Sequence, residues 1–248
     1  MRLEGKVAIV TGGAAGIGRG IAELFAQHGA RVFALDSNAA GIEQVCGEIR
    51  GSGGVARAFA GDVRRADDMG KVVEAAIGEF GQIDILINNA GIYPRLSFLE
   101  MTGAEWDRIH DTNLKGTYHG TRLVIPHMVE KRSGKIVNIS SVTFFLGLRN
   151  LTHYISSKGA IVGFTRALAR EMGPHGIHVN CITPGAVEVE SEKAVATPEQ
   201  VAAIVALQSL QRRIVPLDIA RACLFLCTEL SDGLTGQTLN VDGGWVMH

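Results

Sequence analysis

The chain has no Cys-x-x-Cys pair, no proline-rich or low-complexity linker, no block of like charge, and no apolar run approaching the ~20 residues that cross a bilayer. Each absence removes a class of protein. Cys46, Cys181, Cys223 and Cys227 are too scattered for a paired redox or zinc motif, and Cys223 and Cys227 fall in an apolar helical pattern, so all four read as buried free thiols. No residue set is read as a metal site. A formal net charge of −1 offers no electrostatic pull toward nucleic acid or an anionic membrane. The N-terminal residues run straight into a strand-like segment without an apolar leader, so the expectation is a cytoplasmic protein. With no break in composition, the 248 residues, 46% of them hydrophobic, read as one domain over residues 1–248 with one large core.

What is present is a repeated alternation of short β-branched runs and helical patterns. Lys6 to Thr11 is followed by the glycine turn Gly12-Gly13-Ala14-Ala15-Gly16-Ile17-Gly18 and then a helical pattern through Ile21, Leu24 and Phe25. Such a turn lets backbone N–H groups approach a pyrophosphate at a helix N-terminus, where the helix dipole also favours negative charge. The spacing departs from Gly-x-Gly-x-x-Gly, and a glycine turn by itself is equally a tight connection. The next strand, Arg31 to Asp36, ends in a carboxylate eighteen residues after Gly18, close to the ~20 expected of a group that accepts from the ribose hydroxyls of NAD. A 2′-phosphate there meets like charge, so Asp36 argues for NAD over NADP; the competing role is a helix cap or a solvated loop carboxylate. A helix over about 39–49 and a strand over 55–60 follow. Asp62 and Val63 then sit where adenine would lie, or where a turn needs an aspartate.

Further on, a helix over about 67–80 leads to the strand Ile83 to Asn88 and to Asn89-Ala90-Gly91, whose asparagines need partners from a neighbouring strand or a cofactor. A helical region over about 102–131 contains Asn113, an amide that either bends the helix and holds a water or makes a structural hydrogen bond. The strand beginning at Gly134 ends in Ser140 and Ser141. Beyond it, Tyr154 and Lys158 are four apart and share a helical face, where a cation favours phenolate and brings a tyrosine toward acid–base work. A parallel sheet covered by helices on both faces follows from the alternation, with Ser141 and Tyr154 at its carboxyl edge. After the strand Ile177 to Ile182 and Thr183-Pro184-Gly185, residues 186–211 are the least regular part of the chain and read as a lid over ligand. A helix over about 217–227, a strand over 237–241 and an apolar tail from Gly243 complete the chain; the tail is expected in a subunit interface.

As a set, Thr11-Gly12-x-x-x-Gly16-x-Gly18, Asn88-Asn89-Ala90-Gly91, Ser141, Asn113 and Tyr154-x-x-x-Lys158 resemble the short-chain dehydrogenase/reductase family over essentially the whole length. The resemblance implies a Rossmann-type doubly wound sheet of seven strands in the order 3-2-1-4-5-6-7 and a homotetramer built on the helices around Asn113 and after Lys158. It implies that Tyr154 exchanges a proton with the substrate oxygen, that Lys158 lowers its pKa and binds the nicotinamide ribose, that Ser141 bonds the carbonyl or alkoxide and that Asn113 holds a relay water. Around NAD it places Gly12, Gly16, Ile17, Gly18, Asp36, Asp62, Val63, Asn89, Ala90, Gly91, Tyr154, Lys158, Pro184, Gly185 and Val187.

Two departures matter: Val189 stands where many members have a threonine that bonds the cofactor amide, and Ala15 stands where NADP-using oxoacyl-carrier-protein reductases often have a basic residue. Asn88 to Pro94, Thr152 to Ser156 and the Trp245 end are similar to NAD-dependent 1-phenylethanol dehydrogenases, while Thr143-Phe144-Phe145 is shared with pyridoxal 4-dehydrogenases. The expected substrate is therefore an aryl or hydrophobic secondary alcohol or its ketone, bounded by Tyr93, Thr143, Phe144, Phe145 and Leu151. Phe144 and Phe145 are equally candidates for core or interface. Alternatives are another ring-borne alcohol (pyridoxal, sugar or steroid) and a cofactor-binding scaffold without turnover.

Overall fold

The computed structural model describes residues 2–190 and 197–247. Its centre is one sheet of seven parallel strands: β1 (Val7–Thr11), β2 (Arg31–Asp36), β3 (Val55–Ala60), β4 (Ile85–Asn88), β5 (Gly134–Ile139), β6 (Ile177–Pro184) and β7 (Thr238–Val241). Their order across the sheet is β3-β2-β1-β4-β5-β6-β7. The order reverses beside β1, which opens a crevice at the carboxyl ends of β1 and β4.

Strands covered on both faces read as continuous apolar runs, and β1 is buried at all five positions. Alternate residues feed two cores. Ala8, Val10, Ile85, Ile87 and Val137 pack with Ile21, Phe25 and Ile219 on one side, whereas Val7, Ile9, Leu86 and Ile136 pack with Met69, Val72, Val124 and Met128 on the other. The first core is covered by α1 (Gly16–Gln27) and α2 (Ala39–Gly51), the second by α3 (Ala66–Phe80). Each fully buried large side chain, such as Phe25 or Met69, contributes about 1.5–3 kcal/mol of transfer free energy.

The region read as one helix over about 102–131 is not uniform. Thr102 accepts the Glu105 N–H at 3.2 Å and the Glu105 carboxylate accepts the Thr102 N–H at 2.9 Å, starting α4 (Gly103–His110). A π-helical turn, Asp111–Lys115, then joins it to α5 (Gly116–Lys131). A short helix, α6 (Thr143–Leu146), and the long α7 (Thr152–Met172) follow β5. Of the expected lid, Ser191 to Ala196 lie outside the described residues. Within the remainder, Val187 bridges Ile214, and α8 (Pro198–Ala206) begins at Pro198 under a Thr197 cap. The chain closes through α9 (Pro216–Leu226), packed on α1, and β7.

Candidate active site

At the carboxyl end of β1 the chain turns through Gly12 (φ 69°) and Gly16 (φ 52°), a region that side chains with a Cβ rarely enter. Gly18 is constrained by contact: a Cβ there would lie 1.9 Å from the Gly12 carbonyl oxygen. Ala15, at the N-cap of α1, supplies no side-chain bond and the first turn holds no acid, so neither satisfies the leading N–H groups, including that of Ile17. This is a bare, positively polarised cradle of the kind that fits a pyrophosphate. Beside it, the Asp36 carboxylate is held by the Ala14 N–H at 3.0 Å and the Asn38 N–H at 2.9 Å.

The side-chain amide N–H groups of the asparagines at the end of β4 find their partners within the protein, whereas the buried Asn88 Oδ1 has none among the described residues. Asn88 donates to Thr121 Oγ1 at 3.0 Å and to Asn138 Oδ1 on β5 at 2.9 Å. Asn89 donates through Nδ2 to the carbonyls of Thr11 and Gly12 at 3.0 and 3.1 Å, while Thr11 Oγ1 accepts the N–H groups of Asn89 and Ala90. Asn89 and Ala90 therefore tie the glycine turn to β4. Thr11, which sequence reasoning treated as part of a motif and gave no role, is the hub of that tie. Asp62 takes the turn role: its carboxylate binds Arg64 Nε at 2.8 Å and the Arg64 N–H at 2.9 Å, and the Arg64 guanidinium holds it below the usual carboxylate range. Val63 packs its side chain on Gly116, and its carbonyl lies 3.0 Å from His119 Nδ1.

The π-helical turn sets Asn113 inward, with no exposed surface. Asn113 Oδ1 accepts the Ile92 N–H at 2.9 Å, and Nδ2 donates to the Ile92 carbonyl at 3.1 Å and to Ser157 Oγ at 3.0 Å. Gly91 lies between the reactive groups: a Cβ there would be 3.2 Å from Asn113 Oδ1 and 3.4 Å from Lys158 Nζ. Ser140 Oγ donates to the Lys158 carbonyl at 2.7 Å, fastening α7 to the end of β5. Ser141 then faces Tyr154, where its side chain favours the ionised phenol. Thr143 adds a second contact, donating to Ser141 Oγ from its hydroxyl at 3.0 Å and its N–H at 3.2 Å.

The electrostatics differ from expectation. Lys158 Nζ donates to the Ile139 carbonyl at 2.8 Å and lies 5.8 Å from the centroid of the Tyr154 ring. Burial, the largest influence, pushes the Tyr154 phenol above its ordinary value; Ser141 opposes that shift and Tyr93 adds to it. Burial also pulls Lys158 down to about 8, with Cys181 opposing weakly. The anticipated lowering of the tyrosine by the lysine is thus outweighed by desolvation of both groups. The cysteines are buried free thiols, and burial pushes Cys181 up to about 12.

Around the phenol, the Tyr93 ring stands 6.1 Å from the Tyr154 ring and is 54% exposed. Leu151 is buried at the N-cap of α7. Phe144 is placed elsewhere: its ring lies against Gly159, where a Cβ would be 2.8 Å away, with Phe145 tilted beside it at 5.0 Å. Gly159 is one residue beyond Lys158 and off the face that Tyr154 shares with it, so Phe144 packs on α7 instead of lining the approach to the phenol. The Pro184 carbonyl accepts the Val142 N–H at 3.1 Å, and Gly185 donates to the Val241 carbonyl at 3.0 Å. Val187 is buried, and Val189 reaches the glycine turn, its Cγ1 3.1 Å from a Cβ placed on Gly16. Sequence reasoning also passed over Ser157 and His153, which bracket Tyr154; neither type nor spacing marks them.

Comparison with known proteins agrees with this geometry. The family profile described as Enoyl-(Acyl carrier protein) reductase matches residues 12–246. A 3-oxoacyl-(acyl-carrier-protein) reductase of Thermotoga maritima is 36% identical, with all of both chains covered. D-xylose 1-dehydrogenase of Caulobacter vibrioides is 38% identical over 98% of this chain and 96% of its own. Among solved structures, a 7α-hydroxysteroid dehydrogenase in complex with NADH and 7-oxo glycochenodeoxycholic acid superimposes with a TM-score of 0.94 at 38% identity, covering 100% of this chain and 96% of the other. With the strand order, the glycine turn and the Ser141, Tyr154 and Lys158 cluster in place, the chain belongs to the short-chain dehydrogenase/reductase family of oxidoreductases.

Proposed function

We propose that the protein is an NAD-dependent dehydrogenase of a secondary alcohol, working reversibly with the ketone, on an aryl or hydrophobic substrate. The observation that carries this reading is Ser141 beside the Tyr154 phenol at the carboxyl edge of the sheet, one helical turn from the buried Lys158. NAD, when bound, supplies the hydride acceptor. Ser141 steadies the substrate oxygen, Tyr154 takes or returns its proton, and Lys158 holds the nicotinamide ribose with its ammonium. Asn113 links Ile92 to Ser157 and so keeps a relay path beside Gly91. Gly12, Gly16 and Gly18 form the pyrophosphate cradle, and Asp36 accepts from the ribose.

Specificity for NAD over NADP is supported by the anchored Asp36 carboxylate and by Ala15 at the N-cap, which brings no cation to a 2′-phosphate. The exposed Tyr93 ring near Tyr154 supports an aromatic or apolar substrate. A ring-borne alcohol of the steroid or sugar kind is the second reading, supported by the hydroxysteroid and xylose dehydrogenases among the relatives. Residues 186–211 act as the lid, with Val189 against the glycine turn in place of a threonine bond to the cofactor amide. The functional assembly is a homotetramer.

A panel of aryl, steroid and sugar alcohols, followed by absorbance of the reduced nicotinamide, tests the reading. Turnover is expected with NAD, fastest on aryl alcohols. Tyr154→Phe should bind NAD as wild type and lose about 100- to 10,000-fold in turnover, while Asp36→Ala should narrow the preference for NAD. Binding without reduction across the panel would favour the scaffold, and equal use of NADP would remove the role of Asp36.

A further inference from the structure

The first turn of a helix has N–H groups with no intrahelical acceptor. In α7 the first ladder bond runs from the Ile155 N–H to the Leu151 carbonyl at 2.8 Å, so the Tyr154 N–H is the last one left without such a partner. Leu151 at the N-cap has no side-chain acceptor, and the turn contains no acid. The acceptor comes from inside the helix: His153 Nδ1 receives the Tyr154 N–H at 2.9 Å. The carbonyl of the same residue is gripped too, because Ser157 Oγ donates to the Tyr154 carbonyl at 2.7 Å and itself accepts from Asn113 at 3.0 Å.

We infer that His153 is a positioning residue, whose neutral imidazole holds the Tyr154 peptide through Nδ1 and so aims the phenol; the inference rests on Tyr154 being the proton-exchanging group. A ring that accepts at Nδ1 carries its proton on Nε2. Nε2 is buried and has no acceptor among the described residues, and the whole side chain is 0% exposed. Adding a proton would set N–H against N–H at Nδ1 and break the grip. Burial first, then His110 and Arg108, hold the ring below its ordinary pKa, with Glu105 and the Leu151 backbone opposing. These three titratable or charged neighbours all lie on α4, and the first turn of α7 adds only Tyr154 itself.

The His153 peptide is anchored from the same side. His110 stacks on Trp106 at 4.3 Å, its Nδ1 lies 2.9 Å from the Trp106 carbonyl and its Nε2 lies 3.1 Å from Ser156 Oγ. Ser156 in turn donates to the His153 carbonyl at 2.8 Å. An apolar side chain of similar size would remove the unmet Nε2–H donor but would leave the Tyr154 N–H without its acceptor. Stability therefore does not separate a structural role from a positioning role for His153, whereas exchange at Tyr154, kcat and their pH dependence do.

The test compares the full-length wild type with His153→Leu and His153→Asn, whose Oδ1 can take the place of Nδ1. In His153→Leu amide hydrogen exchange at Tyr154 is expected to accelerate about tenfold or more and kcat to fall about tenfold with KM for NAD little changed. His153→Asn should restore both exchange protection and kcat to within about threefold. On acidification beyond the ordinary histidine range, wild-type protection and kcat should decline together through one proton, and His153→Asn should lack that limb. Wild-type exchange and turnover in His153→Leu, or an acid limb retained in His153→Asn, would each overturn the inference. Exchange at Tyr154 and its pH limb are read without substrate, so a failure of the proposed reaction remains separable from a failure of this one.

Discussion

A lysine ammonium that leaves water loses its hydration, and Lys158, 4% exposed, has lost nearly all of it. Its pKa in the folded chain is about 8, against about 10.4 in an unfolded one. Below about 8 both states are protonated and the cost of burial is fully present. Between about 8 and 10 the unfolded chain holds the extra proton, so stability rises with pH, by roughly 3 kcal/mol if the whole shift were expressed. Above about pH 10 the raised Tyr154 acts in the opposite sense, because the unfolded phenol ionises first. Denaturant unfolding of the protein without NAD should therefore show a gain from neutral pH to about 10 that Lys158→Met lacks; parallel profiles for the two would refute the assignment. The same desolvation explains why reading a tyrosine beside a lysine from spacing alone predicted the wrong direction for the phenol. Spacing reports that two groups share a helical face, but not that Nζ turns to the Ile139 carbonyl.

At the scale of elements, the glycine turn and the π-helical turn are the two places where backbone geometry makes the site. Gly18→Ala drives a Cβ into the Gly12 carbonyl, an overpacking that backbone movement relieves at about 3 kcal/mol or more. Scanning calorimetry should show a melting temperature lower by roughly 6–12 °C, and titration should show NAD binding lost. A variant that binds NAD normally would mean the turn does not approach the cofactor. The turn was legible in sequence because glycine spacing directly encodes permitted φ angles and close approach. The π-helical turn was not: one extra residue in a helix leaves the apolar pattern over 102–131 nearly intact, and only the buried amide of Asn113 hinted at it. Asn88 was legible as a residue in need of partners, although only the register of β4 against β5 identified Asn138.

For the whole molecule, the proposed homotetramer would cover the outward faces of α5 and α7 and the apolar tail, where Tyr118 is 48% exposed and Met247 78%. Mass measured in solution should be close to four times that of the chain, and a monomer independent of concentration would contradict it. The parallel sheet covered by helices on both faces was legible in sequence, because apolar patterns of period 2 and 3.6, broken by glycine turns, admit few ways to bury their faces; the single core expected is divided in two by the sheet. The pairing of Tyr154 with Lys158 on one helical face was legible too, from residue type and spacing. Only the tertiary structure decided which groups meet: Phe144 packed on Gly159, Val189 against Gly16, Asn88 bonded to Asn138, and, among near neighbours, which of several possible partners Asp62 and His153 take. The physical reason is that desolvation and hydrogen-bond choice depend on which groups become neighbours in space, and no local pattern carries that information.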